Sequence, residues 1–319
     1  MKIGVVGCGR WGSCLAWYAA TQCGHAVTLY GRKTSAAMQQ FERTRSNGLL
    51  TLPEEVQLST NLGQTVAAAQ VLIISIGAQG LRSFLRELSA FDCPGKTLVL
   101  CMKGIETGTG LRLTQVVRQF FPHVDLGIWV GPGHVQDFVR GVPNCMVIDS
   151  DDPAVQERLV ETFSSRLIRF YLGEDLIGNE VGAAAKNVVG IAAGMLDGLD
   201  KTALKGALMS RGTREIARLI HAMGGHERTA YGLAHLGDYE ATLFSAHSHN
   251  RQFGEDFVRG IPYEKLAEGA ATVTALLELG ERYHVELPIC SAVDRVIHGG
   301  EDPDKALSEL FLRRIKSEF

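Results

Sequence analysis

The chain has 319 residues, 45% of them hydrophobic and 21% charged, with a formal net charge of −3. That length accommodates two domains and a substantial core. The composition is that of a globular protein, and the weak acidic balance offers no basic field for a nucleic-acid partner. The seven cysteines (Cys8, Cys14, Cys23, Cys93, Cys101, Cys145 and Cys290) are odd in number, scattered and without C-x-x-C spacing. They argue against a disulfide framework or a zinc site and read as reduced thiols of a cytoplasmic protein. The apolar start is one strand long and runs into Gly7, Gly9 and Arg10, so no signal peptide is expected there. The most apolar long stretch, residues 181–196, holds Lys186 and Asn187 near its middle and is too short for a bilayer, so no membrane association is expected.

The first element is a strand, Ile3-Gly4-Val5-Val6, followed by Gly7-Cys8-Gly9-Arg10-Trp11-Gly12 and a helical pattern over residues 11–23, with Trp11, Leu15, Tyr18 and Ala19 on one face. A G-x-G-x-x-G loop between strand and helix is a dinucleotide-binding signature. Gly7 suits the tight turn, Gly9 lets backbone approach a pyrophosphate, Gly12 lets the helix pack on the strand, and the helix N-terminus supplies N–H groups. Arg10 and Trp11 belong to the same cofactor-binding loop.

A second strand, residues 26–30, leads into Gly31-Arg32-Lys33. Sites that prefer NAD usually carry an acidic residue here for the ribose 2′-hydroxyl. Two cations stand here instead, and Arg32 and Lys33 could bracket a 2′-phosphate. The expected cofactor is NADP(H), with NAD(H) possible; two solvated loop cations are the plainer alternative.

Further strands are predicted at residues 71–76, 97–101, 126–130, 145–148 and 167–171, with helices at 81–91, 111–121 and 153–163 between them. This alternation predicts an α/β Rossmann-type, doubly wound parallel sheet. Past Gly173 the strand signals stop, and helices are predicted at 180–196, 201–223, 263–283, 292–297 and 304–316. The expected architecture is a dinucleotide-binding domain over residues 1–175 and an all-helical substrate domain over 176–319. No internal repeat or low-complexity linker interrupts it.

Several side chains could carry chemistry. Lys103 follows a predicted strand, where open α/β sheets gather their ligands, so it is placed to meet cofactor or substrate; a solvated loop lysine is the alternative. The turn Gly131-Pro132-Gly133-His134 falls at the same edge. Lys186 is one cation inside an apolar helix, where desolvation can bring a lysine towards neutrality and make it a proton donor or acceptor. A lysine snorkelling at a helix edge is equally compatible with the pattern. Residues 236–251 gather Asp238, Thr242, Ser248, His249 and Asn250 with other polar groups, a cluster suited to an anionic substrate or to a plain surface loop. His235, His247 and His249 lack a carboxylate or cysteine at fixed spacing, and no metal is expected.

Taken in order, the early glycine loop with Trp11, Lys103-Gly104-Ile105-Glu106, Gly131-Pro132, Glu180-Val181-Gly182 running into Lys186-Asn187, Gly237-Asp238, Thr242, Asn250-Arg251 and Ala267-Glu268-Gly269 resemble the NAD(P)-dependent glycerol-3-phosphate dehydrogenases over nearly the whole chain. The resemblance implies hydride transfer between NAD(P)H and the C2 carbonyl of dihydroxyacetone phosphate, with Lys186 as general acid/base. It implies that Lys103, Asn187, Asp238 and Thr242 orient the substrate. Gly131, Gly133, Ser248, His249 and Asn250 fall in its substrate-contacting segments, and Glu268 would bind cofactor. A homodimer is implied as well. Two departures stand out. The family's Ser-Arg-Asn, whose arginine holds phosphate, is here Ser248-His249-Asn250, and its Gly-Pro-Ser/Thr-Phe turn is Gly131-Pro132-Gly133-His134. The altered clamp leaves open a related NADP-dependent reductase for another small keto or hydroxy compound. A cofactor-binding sensor without turnover is a third reading, against which Lys186-Asn187 stands.

Overall fold

The computed structural model describes residues 1–91 and 93–312. The chain divides into two compact units, Met1–Lys103 with Leu111–Glu180, and Gly104–Gly110 with the chain from Val181 onward.

The first unit is a wound sheet. Its elements are β1 (Lys2–Val6), α1 (Arg10–Thr21), β2 (Ala26–Tyr30), α2 (Ala36–Thr44), β3 (Gln57–Ser59), α3 (Leu62–Ala68), β4 (Val71–Ile74), α4 (Leu81–Leu88), β5 (Thr97–Leu100), α5 (Leu113–Phe120), β6 (Asp125–Val130), α6 (Val135–Val139), β7 (Asn144–Asp149), α7 (Pro153–Phe163) and β8 (Ile168–Leu172). The strands form one sheet in the order β3-β2-β1-β4-β5-β6-β7-β8. β4 (VLII) and β5 (TLVL) are buried at every position, as befits parallel strands covered by helices on both faces. Val5, Leu29, Ile73, Val99 and Trp129 from five strands share one core with Leu15 and Tyr18 of α1.

The sheet is parallel from β3 to β6, as the alternation implied, but β7 pairs antiparallel to β6, with Val130 opposite Val147 and Ile128 opposite Asp149. β8 follows β7 in parallel, so two strands run against the other six. The connection between β6 and β7, residues 131–143, holds only the five-residue α6. Gly131, at φ +127°, turns the chain so tightly that a Cβ there would lie 3.1 Å from Met146 Cα on β7.

No strand follows Leu172 among the described residues. The helices are α8 (Leu176–Gly198), α9 (Lys205–Ala222), α10 (His249–Val258), α11 (Glu268–Arg282), α12 (Pro288–Ile297) and α13 (Pro303–Phe311). The helix expected from residue 263 begins five residues later, at Glu268. Positions 313–316 of the last expected helix lie outside the described residues. α2 and α10, which the hydrophobic pattern leaves out, each open on a serine cap: Ser35 accepts from Met38 N and Ser248 from Arg251 N.

α8 organises the second unit. Glycines recur along it at 182, 190, 194 and 198, four residues apart but for Lys186, which takes the missing place in the series. Residues of this spacing share one face. The segment from His235 to Val258 lies along that face: a Cβ on Gly182 would meet His235, one on Gly190 would meet Thr242, one on Gly194 would meet the Arg251 carbonyl, and one on Gly198 would meet Val258. Lys186 therefore stands in a furrow of small residues, against the segment that carries the polar cluster.

Candidate active site

In the first unit the expected cofactor residues gather at the carboxyl ends of neighbouring strands. Gly7 leaves β1 at φ +107°, and its amide donates to Tyr30 O of β2 at 2.9 Å. A side chain on Gly12 would strike the Gly7 carbonyl, so glycine there lets α1 seat on the loop. α1 has Gly9 at its N-cap, no side-chain cap and no acid in its first turn, and a Cβ on Gly9 would stand in open space. Backbone N–H groups therefore face a cradle that no side chain fills, which fits a pyrophosphate. Arg10 and Trp11 open the helix beside it.

Arg32 and Lys33 follow the end of β2, both exposed. The intervening Gly31 is packed so close to the loop that a Cβ would lie 2.5 Å from Cys8 Sγ. No acidic residue occurs between Gly31 and Phe41. Lys103, just past β5, donates from Nζ to Gly131 O at 2.9 Å, which joins two of the expected site residues at one edge. Gly133 adjoins the glycine loop as well. A Cβ there would lie 2.5 Å from the Phe138 ring and 3.6 Å from Trp11, whose ring centroid is 6.1 Å from that of Phe138. Phe138 of α6, which the sequence did not single out, fills the space a side chain at 133 would need.

In the second unit Lys186 is 8% exposed, and its surroundings are not wholly apolar. Nζ is 2.7 Å from Asp238 Oδ2 and donates to Thr242 Oγ1 at 2.8 Å. Asp238 and Thr242 are buried at 1% and 3% exposure. The snorkelling alternative is thereby corrected: the ammonium is held inside, against a counter-charge. Asp238 ends a 3-10 turn over Leu236–Asp238, and Thr242 lies in a π-helical turn over Glu240–Phe244 that a simple helical period does not anticipate. Lys205 of α9 fixes that turn by donating to Leu243 O at 2.8 Å and pairing with Asp197 at 2.7 Å. Arg251 pairs with the same Asp197 oxygen at 2.6 Å.

The remaining expected residues are divided between site and scaffold. Asn187 is buried on α8, and Gly269 packs against its carbonyl, where a Cβ would lie 2.7 Å away. Asn250 Oδ1 accepts from Gly269 N at 2.9 Å and so caps the start of α11, directly beside Glu268. Ser248 caps α10, and His249 is the first residue of that helix, half-buried. His235 belongs to no metal cluster: Nδ1 lies 2.8 Å from Gly182 O and Nε2 2.7 Å from the Tyr239 hydroxyl. Among the described residues no group of three or more His, Cys, Asp or Glu side chains could hold a metal ion. None of the seven cysteines is in a disulfide, and no helix among the described residues is long and apolar enough to cross a membrane.

A Rossmann sheet with an uncapped glycine loop, followed by a helical unit with a buried, acid-paired lysine, defines a nicotinamide-dependent oxidoreductase. The comparisons narrow the class. The N-terminal profile of NAD-dependent glycerol-3-phosphate dehydrogenases matches residues 2–156, and the C-terminal profile matches residues 175–308. A glycerol-3-phosphate dehydrogenase (NAD(P)+) of Bradyrhizobium sp. is 37% identical, covering 99% of this chain and 98% of its own. One from Agrobacterium fabrum is 35% identical, with 99% of each covered. The crystal structure of a glycerol-3-phosphate dehydrogenase from Coxiella burnetii superposes with a TM-score of 0.92 at 25% identity, covering 98% of this chain and 99% of that one. The chain belongs to the NAD-dependent glycerol-3-phosphate dehydrogenase family and is an oxidoreductase acting on a CH–OH donor with a nicotinamide cofactor.

Proposed function

We propose that the protein interconverts dihydroxyacetone phosphate and sn-glycerol 3-phosphate, with the first unit binding the dinucleotide and the second handling the substrate. The observation that carries this reading is the buried Lys186–Asp238–Thr242 group in a chain that both family profiles match. Gly7, Gly9, Arg10, Trp11 and Gly12 would hold the cofactor, and the family resemblance assigns Lys103 and Glu268 to it as well. Bound there, the nicotinamide supplies hydride to C2 of the ketone. The Lys186 ammonium gives its proton to the C2 oxygen, and in the reverse direction the amine takes it back. Asp238 stabilises the ammonium until its proton is given up. The Thr242 hydroxyl accepts from the ammonium and can turn to donate once the nitrogen is neutral. Lys103, Asn187 and His249 would orient the substrate, while the caps made by Ser248 and Asn250 keep α10 and α11 in place.

NADP(H) is the favoured coenzyme within this reading, because two exposed cations and no acid follow β2. A homodimer in a reducing, cytoplasmic setting belongs to the same proposal. The decisive assay is dihydroxyacetone phosphate with NADPH against NADH. Turnover with NADPH favoured is the expected result. Oxidation of NADPH by other small ketones but not by this one would replace the reading with a related reductase, for which His249 at the first turn of α10 is the specific motive.

A further inference from the structure

His235 and Tyr239 are fully buried beside the lysine, at 0% exposure each, and the reaction above uses neither. The Gly182 carbonyl, 2.8 Å from His235 Nδ1, can only accept, so Nδ1 carries the hydrogen. Burial pushes the imidazole down to about 4, against the opposing pull of Gly182 and Asp238, so the ring is neutral and Nε2 is bare. Tyr239 therefore donates its hydroxyl to Nε2, at 2.7 Å. The carbonyl, which cannot donate, fixes the tautomer, and the tyrosine satisfies the bare Nε2.

Gly182 stands one turn before Lys186 on α8, and in an α-helix its carbonyl also receives the Lys186 amide. The Asp238 amide donates to His235 O at 3.0 Å. A ring of contacts thus closes, from the Lys186 ammonium to Asp238, through the backbone to His235, from its Nδ1 to Gly182, and along one helical turn back to Lys186. His235 approaches so closely that a Cβ on Gly182 would lie 3.0 Å from its own. This bond ties the turn bearing Asp238 to α8 one turn from the lysine through a group that does not change in the reaction, beside the packing of Tyr239 and Leu243 on Val189 and Ala193.

On the reading of Lys186 given above, we propose that His235, held in its Nδ1–H form by the Gly182 carbonyl and satisfied at Nε2 by Tyr239, is a positioning residue that sets the Asp238 carboxylate against the Lys186 ammonium. His235→Asn places an amide nitrogen where Nδ1 stood and keeps the Gly182 bond. His235→Gln reaches the Tyr239 hydroxyl and loses the Gly182 bond. His235→Asn should hold kcat within about threefold, whereas His235→Gln should lower it by about tenfold to a hundredfold with the Kd for NADPH unchanged. Tyr239→Phe leaves the buried Nε2 without a donor and should lower kcat in the wild-type background but not in the His235→Asn background, where no ring nitrogen faces residue 239. A histidine that merely fills the core would show equal losses in Asn and Gln variants that track the melting temperature, and additive effects with Tyr239→Phe. Either pattern overturns the assignment, as does wild-type turnover in His235→Gln. Should the Gln variant not fold, the Tyr239→Phe cycle in the Asn background decides alone. Lys186→Ala is measured alongside. Turnover that survives it removes the reading of Lys186 and the role of His235 with it, while loss there with a wild-type His235→Gln removes the positioning role only.

Discussion

Gly190 and Thr242 are in contact across α8: a Cβ on Gly190 would lie 2.8 Å from the Thr242 methyl. Two effects of Gly190→Ala oppose one another. Alanine in a helix interior gains about 1 kcal/mol over glycine, but Thr242 is β-branched, stiff at χ1 and unable to swing aside within its own rotamer. The threonine must move, and its Oγ1 moves off Lys186. Gly190→Ala should lower kcat about tenfold while the melting temperature stays within a few degrees of wild type. Unchanged kcat in steady-state assays would show that the lysine does not depend on that hydroxyl.

Lys186→Ala should abolish the proton transfer and leave the coenzyme in place. General acid catalysis is worth about 10²–10⁴ in rate, so kcat should fall by that factor. Fluorescence titration should return a near-wild-type Kd for NADPH. A variant within a fewfold of wild-type kcat would take the role from Lys186.

Neutral replacements of both Arg32 and Lys33 should weaken NADPH by roughly tenfold or more and NADH hardly at all, since only NADPH carries the 2′-phosphate. Kd values for the two coenzymes give the answer directly. Equal losses would show that the cations merely solvate the loop.

His249→Arg should lower KM for dihydroxyacetone phosphate about tenfold, because a guanidinium is always charged and can bind two phosphate oxygens. Steady-state kinetics on the variant separate the two substrates in play. An unchanged KM would mean that the first turn of α10 faces something other than phosphate.

The network under the π-helical turn predicts a pH effect. Burial raises the Asp197 carboxyl, but the hydrogen bonds from Lys205, Arg251 and Thr202 outweigh it and hold the group below its ordinary 3.8. An acid depressed in the fold contributes stability above its unfolded value, and that contribution is lost as pH falls through the folded one. Asp197→Asn should cost about 3 kcal/mol at neutral pH and lower Tm by roughly 5–10 °C. Melting curves below pH 4 should then converge with wild type; a constant gap down to pH 2 would show that the carboxylate charge is not what matters.

The sequence was most legible where one local rule suffices. The strand, glycine loop and helix around Gly7–Gly12 announce themselves, because glycine spacing and hydrophobic period agree. The reversal at β7 was not legible, since strand direction is not written in the strand's own pattern. β3, with three residues, is too short to show a period. α10 was concealed by the polarity of His249-Asn250-Arg251, although Ser248 ahead of them is a start signal. Lys186 stands out as a lone cation, but its burial and partners depend on the packing of the glycine face at 182, 190, 194 and 198, which lies beyond a local pattern. His235, a possible ligand by residue type alone, is a hydrogen-bonded member of the core.

The segment Gly104–Gly110 clusters with the helices and not with the sheet on either side of it. Thr109 O accepts from Arg282 at 2.9 Å, and Gly110 lies against Leu279 and Arg282 of α11. The polypeptide therefore passes from one unit to the other three times, after Lys103, Gly110 and Glu180. No single cut in the gene releases both units whole. A fragment starting at Val181 would leave α11 without the segment 104–110, and an enzyme split at that point would have to supply it as a separate piece.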